Sequence, residues 1–225
     1  MQNGKSCSSS DQILIKYLKP TESVMLPIYT QLFNIILDTA IIPKCWTEGY
    51  ITPIFKGKGP QTSPENYRPI TILSCLGKLF TSVLNERLTK FVEHYTIMEE
   101  NQAGFRKDHS TIDHIFVLNT STELFRSQKH KLFVSFSECL RCFDLIPRAE
   151  LFHKLLNNGV DGKCFRIVRY NMYATAKSCV QLNNNNSTFF SCESGVRQGE
   201  NLSPLLFSLY LNDLQTYLTD KQNTG

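Results

Sequence analysis

The stretch NYRPITILSCLGKLFTSVLNERL, residues 66–88, passes from an extended segment into an amphipathic helix. Residues 41–70 contain five prolines, which forbid a long helix and favour two short strands joined by a basic tip. Apolar residues then recur at helical spacing along one stripe, namely Leu76, Leu79, Phe80, Val83, Leu84, Leu88, Phe91, Val92 and Tyr95. The stretch therefore predicts two strands followed by a packed helix, as in a mixed α+β fold.

Patterns on either side of this stretch extend the same prediction. Residues 21–39 predict a helix with one apolar face, formed by Val24, Ile28, Leu32, Ile35 and Ile36. Ser110 and Asp113 have the spacing of a capping box, which places the start of another helix near Thr111 and gives it Ile112, Ile115, Phe116 and Leu118 as apolar residues.

The second half of the chain predicts more elements of both kinds. Residues 131–137 predict a buried strand, Pro147 the first turn of a helix that ends at Gly159, and residues 162–174 another helix. Two strands flank NNNN at 183–186, and a last helix opens at Pro204 with Leu205, Leu206, Leu209 and Leu218 on its apolar face. The order lacks the regular βα alternation of a doubly wound sheet, so α+β is the predicted class.

Composition excludes several classes of protein. The 225 residues are 41% hydrophobic and 20% charged, which is ordinary for a globular chain of one large domain or parts of two. No N-terminal stretch resembles a signal peptide, so the eight cysteines indicate a reducing intracellular compartment. Cys139 and Cys142 form a CxxC without a second pair, which argues against a closed zinc site. No apolar run of about 20 residues would span a bilayer, so no membrane partner is expected.

Positive charge is concentrated between Arg126 and Lys177, which hold ten Lys/Arg and four Asp/Glu. Clustered cations suit a phosphate-bearing partner, and solvated helix faces are the alternative. The cations of this cluster include Arg141, Arg148, Lys154, Lys163, Arg166 and Arg169.

Four segments in order resemble the reverse transcriptase of non-LTR (LINE-type) retrotransposons. They are PKCWTEGYITPIFKGKG (43–59), NYRPITILSCLGKLFTSVLNERL (66–88), NQAGFRKDHSTIDHI (101–115) and GVRQGENLSPLLFSLYLNDL (195–214). The resemblance covers roughly residues 20–220. It implies a right-hand polymerase, with an N-terminal tail at 1–20, fingers at about 21–128 and a partial palm at about 129–225. It also implies an RNA template, a DNA primer and a deoxynucleoside triphosphate as partners.

The resemblance also implies chemistry that uses two Mg²⁺ ions held by three aspartates, one after a palm strand and two in a Tyr/Phe-Ala-Asp-Asp motif. Here FSECLRCFD (136–144) places Glu138 at the first position, and the extra methylene moves the carboxylate by about 1.5 Å. That shift exceeds the tolerance of about 0.5 Å for a working site. Asp144 matches a supporting position, or else caps the helix at Pro147.

The paired aspartates occur nowhere in the sequence. We therefore expect a C-terminally truncated fragment without the catalytic hairpin and thumb, which is inactive and binds no Mg²⁺ stably. Glu138 is then at most a weak metal ligand, or simply an exposed loop carboxylate.

Five residues match nucleotide-binding positions of the family. Lys56 and Arg68 would hold the triphosphate, although Arg68 could instead form a structural salt bridge. Phe143 would close over the sugar and exclude ribonucleotides, or else pack in the core. Gln198 and Gly199 would lie against the nucleotide and template base, or belong to a mobile glycine loop.

The segment NQAGFR (101–106) matches the template side of the fingers. The template-binding residues implied by the resemblance are Gln102, Gly104, Phe105 and Arg106, and a capped turn between two helices is the alternative. Two other functions stay open at this point: a non-catalytic RNA- or DNA-binding module, and the product of a decayed element. The sequence leaves the oligomeric state undetermined.

Overall fold

Helices and a small mixed sheet make up the computed structural model, which describes residues 13, 15–18, 20–138, 141–183 and 185–223. The helices are α1 (Ile15–Leu18), α2 (Glu22–Thr39), α3 (Lys44–Thr47), α4 (Cys75–His94), α5 (Thr111–Ser127), α6 (Cys142–Leu145), α7 (Arg148–Asn157), α8 (Gly162–Arg166), α9 (Ser203–Leu211) and α10 (Leu214–Asn223). The strands are β1 (Glu48–Phe55), β2 (Tyr67–Ile72), β3 (Lys177–Leu182), β4 (Asn185–Asn186) and β5 (Phe190–Ser191). A 3₁₀ turn spans Pro64–Asn66, and a π-helix at Ile167–Tyr173 continues α8. The predicted mixed α+β class is confirmed.

The sheet has the order β2-β1-β3-β4, with β5 also paired to β3. β1 and β2 form an antiparallel hairpin in which Phe55 lies opposite Tyr67, so its tip is residues 56–66. β1 and β3 are parallel. The predicted pair of strands with a basic tip is confirmed, and the hairpin projects Lys56 from the end of β1.

The core lies where α4, α7, the π-helix and α9 meet. Phe80, Leu155, Tyr173 and Leu206 are buried there. Burying such a side chain contributes about 1.5–3 kcal/mol, so this cluster is the main source of stability. The predicted stripe of α4 is confirmed at its centre, although Leu79 and Tyr95 are exposed.

The predicted apolar face of α2 is wrong in part. The helix buries Phe33 and Ile36, whereas Val24, at 73% exposed, and Ile28 face outward. The reason is that Phe33 packs its ring against Trp46 and Phe80, which turns the opposite side of the helix away from the core. Leu218 of the predicted last helix is likewise exposed, because α9 ends at Leu211 and a second helix follows.

The predicted strand at 131–137 is also wrong. Residues 131–138 have no regular structure, and Phe133 and Phe136 are 89% and 84% exposed. A strand requires a ladder partner for its N–H and C=O groups, and among the described residues none pairs with this segment.

α5 begins as predicted but does not pack as predicted. Ser110 and Asp113 form the capping box, with the Ser110 N–H donating to Asp113 Oδ2 at 2.7 Å. The helix nevertheless buries none of its residues, including Ile112, Ile115 and Phe116. A capping box depends only on local contacts, whereas a buried face depends on a neighbour.

Within the described ranges, no helix combines the length and apolar character needed to cross a membrane.

Candidate functional site

An open cleft of about 1160 Å³ lies between the β1–β2 hairpin, α6 and the segment that precedes α9. We call it the hairpin cleft. Its wall includes all five residues that the resemblance assigned to the nucleotide, which are Lys56, Arg68, Phe143, Gln198 and Gly199. Three segments that are far apart in sequence therefore converge on one space.

Two cations stand on the hairpin side of the cleft. Arg68 lies opposite Ile54 in the ladder, and Lys56 follows Ile54 by two residues, so strand alternation favours the same face for both. Lys56 Nζ donates to the backbone carbonyl of Glu65 at 2.8 Å. The Arg68 side chain is exposed and forms no ion pair or hydrogen bond with another described residue, so its guanidinium is available to a ligand.

The loop on the opposite wall is fixed at two points. Gln198 Nε2 donates to both carboxylate oxygens of Asp144, at 3.0 and 3.2 Å, and the Gln198 carbonyl accepts from the Thr71 N–H at 2.8 Å. Gly199 follows with φ +111°, a conformation that favours glycine. Asp144 therefore holds Gln198 and does not cap α7, which begins after Pro147 without a side-chain cap.

An aromatic surface forms another part of the wall. Phe143 stacks on Phe207, with centroids 4.7 Å apart and planes at 17°. Phe105, which is 65% exposed, meets Phe143 edge to face at 6.2 Å. Stacked aromatic rings offer an apolar surface on which a base or sugar can pack.

The predicted template residues lie on a turn held by α4 and α9. Gln102 Nε2 donates to the Ser208 carbonyl at 3.1 Å, and Ser208 Oγ donates to the Gly104 carbonyl at 3.2 Å. Arg106 pairs with Glu93 at 3.3 Å. The Gln102 amide nitrogen and the Arg106 guanidinium thus contact the chain itself, as in a capped turn, while the Phe105 ring is 65% exposed.

The described residues do not supply the ligands of a two-metal site. Glu138 is exposed and does not line the hairpin cleft, and Asp144 is bonded to Gln198. No group of three or more His, Cys, Asp or Glu side chains with metal-binding geometry occurs in the part of the chain that the structure describes. Two Mg²⁺ ions need several carboxylate oxygens to offset their repulsion, so these side chains do not fit them.

A buried polar cluster includes residues on both sides of Gln198 and Gly199 in the loop before α9. The sequence analysis did not predict this cluster. Tyr173 Oη donates to Glu200 Oε2 at 3.1 Å and lies 3.3 Å from Ser203 Oγ. Arg197, which is also buried, donates to the backbone carbonyls of Trp46 and Thr47. Burial raises the pKa of Glu200, and the charge of Arg197 opposes that rise. The sequence signal for this cluster was the pair of charged residues, Arg197 and Glu200, that flank Gln198 and Gly199.

Contacts within the chain engage five of the six named cations of the basic cluster, including Arg141, which pairs with Glu65 at 3.2 Å. Arg148 donates to backbone carbonyls, Lys154 pairs with Asp213 at 2.6 Å, and Lys163 pairs with Asp38 at 2.6 Å. The Arg169 guanidinium lies 4.9 Å from the centre of the Tyr170 ring. Of these six, the two that remain candidates for binding phosphate are Arg166, which is exposed, and Arg141, which lines the cleft and has only an exposed ion pair.

Together, the fold and the cleft define an α+β domain whose open site combines cations with aromatic rings, as expected of a protein that binds nucleotides or nucleic acid. The chain belongs to the reverse transcriptase (RNA-dependent DNA polymerase) family, whose model matches residues 56–224. This match confirms the family that the four sequence motifs indicated.

Proteins similar to this chain come from insect retrotransposons. It is 31% identical over 192 residues to "Probable RNA-directed DNA polymerase from transposon BS" of Drosophila melanogaster, a match covering 81% of this chain and 20% of that protein. It is 27% identical over 195 residues to the RNA-directed DNA polymerase from mobile element jockey of the same organism, covering 83% and 20%. The Pol polyprotein of type-1 element R2 from Popillia japonica is 27% identical over 185 residues, covering 82% and 25%. The chain spans about a fifth to a quarter of these relatives.

Proposed function

We propose that this chain is the nucleotide- and template-binding part of a retrotransposon RNA-directed DNA polymerase. A deoxynucleoside triphosphate occupies the hairpin cleft, and an RNA template with a DNA primer lies beside it. Residues 21–128 then correspond to the fingers and residues 129–225 to part of the palm. The observation that carries the proposal is the convergence of five nucleotide-site residues, from three separate motifs, on one cleft.

The cleft offers each part of a nucleotide a suitable contact. Lys56 and Arg68 offset the charge of the triphosphate, and the planar guanidinium can donate two parallel hydrogen bonds to phosphate oxygens. The ring of Phe143, supported by Phe207, packs against the sugar. Gln198 is already held by Asp144 and Thr71, so little order has to be gained on binding.

Replacement of Arg68 by glutamine tests the nucleotide site. We expect the affinity for a deoxynucleoside triphosphate, measured by calorimetry, to fall about tenfold or more, because a charge-assisted hydrogen bond is lost. Arg166→Gln is the matched control, since Arg166 is also an exposed arginine but does not line the cleft. Equal affinities of the two variants would refute the assignment.

Catalysis by this chain is tested separately by primer extension. Because the described carboxylates do not form a two-ion site, we expect purified protein to bind a primer–template without adding deoxynucleotides in Mg²⁺ or Mn²⁺. Binding without incorporation supports a non-catalytic nucleic-acid-binding role. Robust incorporation that Glu138→Ala abolishes would show instead that Glu138 is a working metal ligand.

A further inference from the structure

Glu65 lies between two cations of the hairpin cleft and contacts both. Its Oε1 atom accepts from Arg141 Nη2 at 3.2 Å, and its backbone carbonyl accepts from Lys56 Nζ at 2.8 Å. Glu65 is in the 3₁₀ turn Pro64–Asn66 at the tip of the hairpin, whereas Arg141 precedes α6 on the opposite side. This pair of contacts joins the two sides of the cleft.

Arg141 adopts an unusual backbone conformation. Its φ is +58°, in the left-handed region that residues other than glycine seldom occupy. Its carbonyl accepts from the N–H groups of Asp144 and Leu145, at 3.0 and 3.1 Å, so the residue is anchored to the first turn of α6. The left-handed backbone and these two contacts fix the position from which the Arg141 side chain extends to Glu65.

The ion pair between Arg141 and Glu65 is exposed to solvent. The two side chains are 61% and 76% exposed, and a pair so exposed contributes little to stability. A carboxylate and a phosphate present similar acceptor oxygens to a guanidinium, but a polyphosphate carries several negative charges. A polyphosphate that enters the cleft can therefore displace Glu65 from Arg141.

We propose that Arg141 is a further phosphate-binding residue of the hairpin cleft and that Glu65 is a built-in competitor, whose carboxylate occupies Arg141 until a polyphosphate displaces it. This inference rests on the proposed function, since it gives the same cleft a third cation beside Lys56 and Arg68. Binding is then an exchange of one anion for another, and the Glu65 charge lowers the affinity for every polyphosphate.

Calorimetric titration of the full chain with deoxynucleoside triphosphate, and separately with inorganic tripolyphosphate, tests this exchange. Glu65→Gln removes the charge but preserves the shape and the carbonyl contact to Lys56. We expect it to bind both ligands about three- to tenfold more tightly at low ionic strength, with a smaller gain at about 0.3 M salt, where exposed charges are screened. Glu123→Gln on α5, also exposed but outside the cleft, should leave both affinities unchanged.

Arg141→Gln completes a double-mutant cycle. Alone it should weaken binding of both ligands by about three- to tenfold. The variant carrying both substitutions should gain little over Arg141→Gln, because Glu65 acts chiefly through Arg141. Thermal unfolding should be unchanged in every variant, since the pair is exposed.

The outcomes separate the inference from the proposed function. If Glu65→Gln binds no more tightly than the parent, or gains equally when Arg141 is absent, the competitor role is refuted even where Arg68→Gln still weakens nucleotide binding. If tripolyphosphate follows the expected pattern but no variant binds the nucleotide, the cation site stands and the proposed function fails. If neither ligand binds any variant, both are overturned.

Discussion

Arg148→Met is expected to lower the free energy of unfolding by about 2–4 kcal/mol, although methionine has a similar length. The Arg148 guanidinium donates to the backbone carbonyls of Gly195 at 2.9 Å, Tyr173 at 2.8 Å and Ser194 at 3.1 Å, and also to that of Cys192. It lies 5.0 Å from the centre of the Tyr173 ring, and burial lowers its pKa. Methionine leaves these carbonyls without a donor, and denaturant unfolding measures the loss.

Two further variants test the reason for this loss. Arg148→Lys keeps the charge but loses the planar array of donors, so its stability should lie between those of the parent and Arg148→Met. Arg166→Met removes an exposed arginine that makes no such contacts with the described residues and should cost less than about 0.5 kcal/mol. If Arg148→Met lowers the free energy of unfolding no more than Arg166→Met does, the four carbonyl contacts of Arg148 do not stabilise the fold.

The sequence predicted the wall of the cleft better than it predicted the packing around it. Lys56 immediately follows β1 and Arg68 lies in β2, so the short hairpin fixes the relation between them and a motif preserves their geometry. Gln198 and Gly199 occupy a loop immediately before a helix, and a glycine there implies a backbone that approaches its neighbours. The structure brings both pairs to the same cleft.

The features that the sequence did not predict depend on contacts with other segments, and no sequence pattern identifies those segments. The apolar pattern of residues 131–137 indicates what a strand would bury, but the pattern does not contain the strand that must pair with it. Arg148 was recognised as one cation in a basic cluster, but its partners are backbone carbonyls, which every residue possesses. Capping at Ser110 was predicted correctly because donor and acceptor lie three residues apart.

Gly199→Ala is expected to lower the free energy of unfolding by about 2–5 kcal/mol and to weaken binding in the hairpin cleft. A Cβ atom at position 199 would lie 2.6 Å from the carbonyl oxygen of Thr71, and the φ of +111° is strained for any L-residue. Thr71 cannot retreat easily, because β2 is paired to β1 along its length and the Thr71 N–H is bonded to Gln198. The loop must therefore move, and Gln198 moves with it.

Gly57→Ala separates the effect of the close contact with Thr71 from the effect of the strained backbone. Gly57 has φ +78° at the hairpin tip, but no described atom lies within 4 Å of the position that a Cβ would occupy, so alanine there meets backbone strain alone and should cost about 1–2 kcal/mol. Thermal unfolding and nucleotide titration of both variants give the comparison. Gly199→Ala should lose more stability and more affinity than Gly57→Ala, because only position 199 contacts β2. Equal losses would mean that the close approach to Thr71 does not position Gln198 for the ligand.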